Sequence, residues 1–167
     1  MSSLDLQLRD QAIEALNCGD LIAYPTEAVW GLGCDPFNRL AVDKLLSLKG
    51  RSVDKGLILV AADLDQCERI TRHLPSELFN RLQTNCQPTA VIQRATTWLV
   101  PSNDSIPVWI TGQFDTVAIR VSSHPIVAEL CQAFGGMIVS TSANPQGKAA
   151  ATNQHQAQRY FSNRVRV

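Results

Sequence analysis

The chain has 167 residues, which suits one hydrophobic core rather than two, and 45% apolar against 18% charged residues excludes wholesale disorder. Lys plus Arg and Asp plus Glu number 15 each, so no overall field draws nucleic acid or anionic lipid non-specifically and any anion site has to be local.

Residues 4–16 carry Leu4, Leu8, Ala12, Ile13, Ala15 and Leu16 near helical spacing, with Ser3 as a potential N-cap and Gly19 as a stop. The apolar run 21–24 is halted by Pro25, and 29–34 resumes as an extended segment with Gly31 and Gly33, which predicts two strands around a tight turn. Residues 40–48 place Ala41, Val42, Leu45, Leu46 and Leu48 on one helical face and deliver Lys49-Gly50-Arg51 into a loop. A buried strand is expected at 57–61, with polar helical stretches near 63–72 and 76–82. Residues 83–95 show no settled period, and the β-branched runs 96–100 and 116–121 read as strands. A helix over 125–134 ends at Gly135-Gly136, and 137–140 makes a further strand. Strands interleaved with helices, one hairpin included, predict a single-domain α/β fold with a mixed sheet.

Three polar clusters stand beside strand ends, where open α/β sheets hold ligands. In Pro25-Thr26-Glu27, a hydroxyl and a carboxylate suit an amine or hydroxyl substrate, although an ordinary turn uses the same residues. In Lys49-Gly50-Arg51, followed by Lys55-Gly56, an extended backbone would put both cations on one face as a clamp for a triphosphate. A solvated loop balanced by Asp43 and Asp54 accounts for the same charges. Ser140-Thr141-Ser142-Ala143-Asn144 offers donors and acceptors to phosphate or ribose, or forms a plain strand-to-turn junction. Arg120 alternates with apolar residues in its strand, so it is either salt-bridged or a carboxylate receptor.

Walker, GxGxxG, HExxH and GxSxG motifs are absent. His73, His124 and His155 are dispersed, and Cys18, Cys34, Cys67, Cys86 and Cys131 lack zinc-type spacing, which reads as reduced, mostly structural thiols. Neither a leader pattern nor a bilayer-length apolar run occurs, so a cytoplasmic protein without membrane partners is expected.

Taken in order, Ala23-Tyr24-Pro25-Thr26-Glu27-Ala28-Val29-Trp30-Gly31-Leu32-Gly33, Lys49-Gly50-Arg51 and Ser140-Thr141-Ser142-Ala143-Asn144 resemble the YrdC/Sua5/TsaC family. Asp54-Lys55-Gly56-Leu57-Ile58-Leu59 and Trp109-Ile110-Thr111-Gly112-Gln113-Phe114-Asp115 resemble its short bacterial TsaC form. The resemblance implies a YrdC-like twisted mixed sheet with flanking helices around a basic central cavity. It also implies a nucleotidyltransferase that makes threonylcarbamoyl-AMP and pyrophosphate from L-threonine, bicarbonate or CO2, and ATP, for N6-threonylcarbamoyladenosine in tRNA.

By the same resemblance Lys49 and Arg51, supported by Lys55, contact the ATP phosphates; Ser140, Ser142 and Asn144 contact the nucleotide; and Thr26 and Arg120 contact threonine. Positioning by Lys49 and Arg51 replaces a protein nucleophile, Mg2+ bridges phosphate oxygens, and TsaB, TsaD and TsaE take the labile product to tRNA. An RNA-binding or ribosome-maturation factor using the same basic cavity is the rival reading, against which the balanced charge counts. Two departures from the family set an expectation of weakened or absent adenylation. A Pro-Gly-Pro turn usual before Thr96-Thr97-Trp98 is replaced by Asn85-Cys86-Gln87-Pro88-Thr89-Ala90-Val91-Ile92-Gln93-Arg94-Ala95, and the family's C-terminal segment is not found within residues 1–167.

Overall fold

The computed structural model describes residues 5–86 and 96–166. Helix α1 (Leu6–Asn17) is capped by Asp5, whose carboxylate accepts the Gln7 N–H at 2.8 Å; the expected cap Ser3 lies outside the described residues. Strands β1 (Ile22–Pro25) and β2 (Trp30–Gly33) form the expected antiparallel hairpin. Helix α2 (Arg39–Lys49) starts at the Asn38 cap and ends where Gly50 takes a left-handed φ of 61°, which a Cβ would oppose.

Strand β3 (Ile58–Ala61) follows a 3-10 turn at Val53–Lys55. The helical stretch expected near 63–72 is broken into a 3-10 turn at Asp65–Cys67 and a short α3 (Glu68–Thr71). Helix α4 (Ser76–Asn85) outlasts its expected end; most of the altered segment before Thr96 falls on residues 87–95, outside the described residues. Next come β4 (Trp98–Pro101), α5 (Val108–Thr111), β5 (Thr116–Val121), α6 (Pro125–Phe134), β6 (Ile138–Ser142) and α7 (Gln154–Phe161). Three of these correct the sequence reading: β6 runs on through Ser142, and α5 and α7 have no counterpart in it.

The six strands order as β1-β2-β6-β3-β5-β4, with β3 and β5 parallel and the other neighbours antiparallel. One face packs Ala23, Leu32, Leu59, Val117, Ile119 and Val139 against Leu45 of α2, Leu82 of α4 and Phe161 of α7. The opposite face packs Ile22, Tyr24, Val60 and Ile138 against Leu16 of α1 and Val127 and Leu130 of α6. That second cover stops short. Val60 and Ile138 are buried, whereas Ile58, Ala118 and Ser140 further along the same face are half-buried, and Ser142 and Leu99 are exposed.

Cys34, Cys67 and Cys131 are buried free thiols, and burial pushes Cys67 and Cys131 up to about 12, which suits the structural reading. Among the described residues no helix is long and apolar enough to cross a membrane.

Candidate functional site

The uncovered half of the sheet is where the polar clusters converge. Residues paired across a sheet share a face, and the register sets Ile58 opposite both Ser140 and Ala118, Val60 opposite Arg120, and Gly31 opposite Ser142. A cavity of about 160 Å³ opens on this face, lined by Thr26, Glu27, Arg120, Ser122, Ser140 and Ser142 with the apolar side chains of Ile58, Val60 and Val127. A second cavity of about 200 Å³ shares Ile58 and is lined by Arg51, Lys55, Leu99, Thr111 and Phe114. Lys49 and Asn144 line neither of these two. A larger cavity of about 550 Å³, between Asp20, Gln158 and Arg166, contains none of the motif residues.

Thr26 makes the turn bond that the ordinary reading requires, its Oγ1 donating to the Val29 carbonyl at 2.6 Å, and it lines the first cavity as well. Glu27 accepts a 2.6 Å hydrogen bond from Ser122 Oγ. Ser122 is itself fixed, because its N–H donates to the Ala61 carbonyl at 3.0 Å and its Oγ accepts the His124 N–H at 3.2 Å. Arg120 donates from Nε and Nη2 to Thr97 Oγ1 at 2.9 and 2.6 Å, and makes no ion pair among the described residues. Of the two readings open for this arginine, the salt bridge is therefore not the one realised among those residues.

The basic tripeptide departs from the extended clamp. Lys49 is the last residue of α2, only 7% exposed, and the left-handed Gly50 that follows it breaks the extended backbone the clamp requires. The Lys49 ammonium donates to the Ser142 carbonyl, to the Asn144 carbonyl at 3.0 Å and to Asn144 Oδ1 at 3.3 Å. Burial first, and then the neighbouring Arg51 charge, bring Lys49 down to about 8. Ser142 Oγ donates to Asn144 Oδ1 at 2.6 Å, and Asn144 Nδ2 donates to the Lys148 carbonyl at 2.8 Å, so Lys49, Ser142 and Asn144 form one connected turn.

Arg51 donates to the Gly56 carbonyl at 3.0 Å, and its buried Nε has no hydrogen-bond partner among the described residues. The acids expected to balance this loop are engaged elsewhere, Asp43 at 3.6 Å from Arg39 and Asp54 accepting from Ser52 Oγ at 2.8 Å. Lys55, at the end of its 3-10 turn, is exposed.

Ser122 and Phe114 are lining residues to which the sequence analysis gives no role. Ser122 had a signal: it continues the alternation of Ala118 and Arg120 one step beyond β5. Phe114, half-exposed among polar neighbours, offered none beyond its place in a resembling motif.

The site can be set beside known proteins. The family model named for Sua5, YciO and YrdC, described as "Telomere recombination", matches residues 14–167. A threonylcarbamoyl-AMP synthase of Cellvibrio japonicus is 52% identical over 154 residues, which cover 92% of this chain and 78% of that protein. The crystal structure of P. abyssi Sua5 complexed with L-threonine superposes with a TM-score of 0.82 at 31% identity, over 95% of this chain and 45% of that one, so the chain spans about half the length of that protein. E. coli YciO shares the fold, with a TM-score of 0.79 at 22% identity over 96% of this chain and 76% of its own. The motif order, the half-open mixed sheet and these matches agree: the chain belongs to the Sua5/YciO/YrdC family.

Proposed function

We propose that this chain is a threonylcarbamoyl-AMP synthase, joining L-threonine, bicarbonate or CO2, and ATP into threonylcarbamoyl-AMP and pyrophosphate in the cytoplasm. The observation that carries the reading is the convergence of three polar clusters, far apart in sequence, on one uncovered half of a sheet. Its relatives, a threonylcarbamoyl-AMP synthase and a Sua5 complexed with L-threonine, give that convergence its chemistry.

Threonine occupies the first cavity, with its carboxylate on the Arg120 guanidinium and Thr26 at its edge. The ATP phosphates lie toward Arg51 and Lys55 in the second cavity, with the nucleotide against Ser140, Ser142 and Asn144. Lys49 acts on the nucleotide through the turn it holds. The threonine amine, once deprotonated, attacks CO2; the new N–C bond gives a carbamate and the proton leaves to solvent. A carbamate oxygen then attacks the α-phosphorus, the bond to the bridging oxygen breaks, and pyrophosphate departs with the electron pair. The protein's part is to hold two anionic reactants at contact and to offset their charge.

The cleft supplies hard oxygen donors, the hydroxyls of Thr26 and Ser140, and no cluster of three or more His, Cys, Asp or Glu among the described residues. This set fits a Mg2+ ion that arrives on the phosphates and keeps most of its water, rather than a caged metal. When bound, such an ion would neutralise phosphate charge. The product is passed to TsaB, TsaD and TsaE for attachment to tRNA.

The test is pyrophosphate release by the purified chain with ATP and bicarbonate, with and without L-threonine, and mass detection of threonylcarbamoyl-AMP. Threonine-dependent release with that product is expected, in place of the weakened or absent adenylation that the two departures from the family suggest in the sequence. ATP turnover indifferent to threonine, or salt-sensitive RNA binding without turnover, would overturn the reading.

A further inference from the structure

The first cavity contains two opposite charges that do not meet. Arg120 and Glu27 both line it, yet no ion pair joins them among the described residues. Each is held by a hydroxyl instead, Arg120 by Thr97 and Glu27 by Ser122. A hydroxyl orients a charge without neutralising it. The Ser122 hydroxyl has one proton, which goes to Oε1, and among the described residues Glu27 makes no further hydrogen bond. The cavity of about 160 Å³ is of amino-acid rather than nucleotide size. Val60 and Val127 line the same cavity and offer an apolar wall for a methyl group.

We propose that Glu27 is the receptor for the α-ammonium of the substrate, so that the cavity selects an amino acid by binding both ends of the zwitterion. The proposal rests on the synthase reading above and adds a residue which that reading leaves without a ligand. A zwitterion satisfies both fixed charges, whereas a 2-hydroxy acid satisfies only the arginine and leaves the Glu27 carboxylate facing a neutral group. The ammonium loses its charge when the amine is carbamoylated, so this contact belongs to the ground state. Glu27→Gln should therefore raise KM for L-threonine at least about tenfold, leave kcat unchanged or higher, and leave KM for ATP unchanged.

The decisive measurement is calorimetric binding of L-threonine and of (2S,3R)-2,3-dihydroxybutanoate, in which a hydroxyl replaces the ammonium. The unaltered chain should prefer threonine by at least about tenfold, as expected when a charge-assisted contact is lost, and Glu27→Gln should cut that preference to about threefold or less. Ser122→Ala, which leaves the carboxylate but frees its rotamer, should fall between the two. An unchanged preference in a folded Glu27→Gln protein overturns the assignment while leaving the synthase reading intact. Failure of the unaltered chain to bind L-threonine at all removes both. A fall in kcat with equal rises in both KM values would make Glu27 a structural residue and also overturns it.

Discussion

Lys49 is the residue at which charge and structure are most tightly coupled. It closes α2, tethers Ser142 and Asn144, and carries an ammonium that is almost wholly enclosed. Its titration is correspondingly displaced, down to about 8 from the ordinary value near 10.5. Burial disfavours the protonated form, so between these two pH values the unfolded chain holds the proton and the folded one releases it. Where the unfolded state binds more protons, stability rises with pH. The burial cost of the charge is thus present in full below about pH 8 and is relieved toward about 10.5. Lys49→Met removes the titration. The denaturation midpoint of the unaltered protein, taken relative to that of Lys49→Met at each pH, should therefore climb across this window; a difference that stays flat would show that Lys49 keeps an ordinary affinity for its proton. In the same variant the Ser142–Asn144 turn loses its anchor, and KM for ATP should rise more than KM for threonine.

Among the elements, the wall of the second cavity depends on one glycine. Gly112 ends α5 with φ of 65°, and a Cβ there would sit 2.5 Å from the Asp54 carbonyl oxygen and 2.7 Å from the Gly56 nitrogen. Both neighbours are backbone, which cannot rotate away. Gly112→Ala should cost about 3 kcal/mol through strain and overlap together, read by urea unfolding, and should displace the turn carrying Lys55 and the Gly56 acceptor of Arg51. A loss below about 1 kcal/mol would mean that the turn moves freely. The hairpin, α2, β5 and α6 were legible because their apolar spacing and stop residues agree with one another. Helix α7 was not, because Ala157 and Phe161 are its only buried residues in an otherwise polar sequence. The end of β6 was hidden for a different reason: Ser140, Thr141 and Ser142 look like a turn, but they continue a strand whose outer half lacks a covering helix and so tolerates polar side chains. The candidate residues were legible as types and in order, while the burial of Lys49 was not, because its acceptors are backbone carbonyls supplied by a segment more than ninety residues away.

Across the whole molecule, the open half of the sheet exists because the helices are shared unequally. Helices α1 and α6 cover one end of their face, and α7 returns to the other face with the chain that follows β6. That return is hydrogen-bonded into the sheet: Trp30 N–H donates to the Ala151 carbonyl at 2.7 Å, Ala151 N–H to Ala143 at 2.9 Å, and Ala143 N–H to Trp30 at 2.8 Å. Phe161 locks it by burying its ring completely in the larger core, edge-on to Tyr160 at 6.1 Å. Truncating a fully buried aromatic to Ala costs about 3–5 kcal/mol, and for a chain of this size each kcal/mol lowers Tm by roughly 2–4 °C. Phe161→Ala should therefore lower Tm by roughly 6–20 °C. The ring packs into the same core as Leu59 and Ile119, so the loss should be felt by the sheet as a whole and not by α7 alone. Hydrogen exchange separates these cases. If α7 belongs to the sheet's cooperative unit, the amides of Trp30, Ala143 and Ala151 and those of β3 lose protection by the same factor. Acceleration confined to residues near α7, with β3 unchanged and Tm barely lowered, would make α7 a dispensable strap, and the open face would then owe its shape to the remaining helices alone.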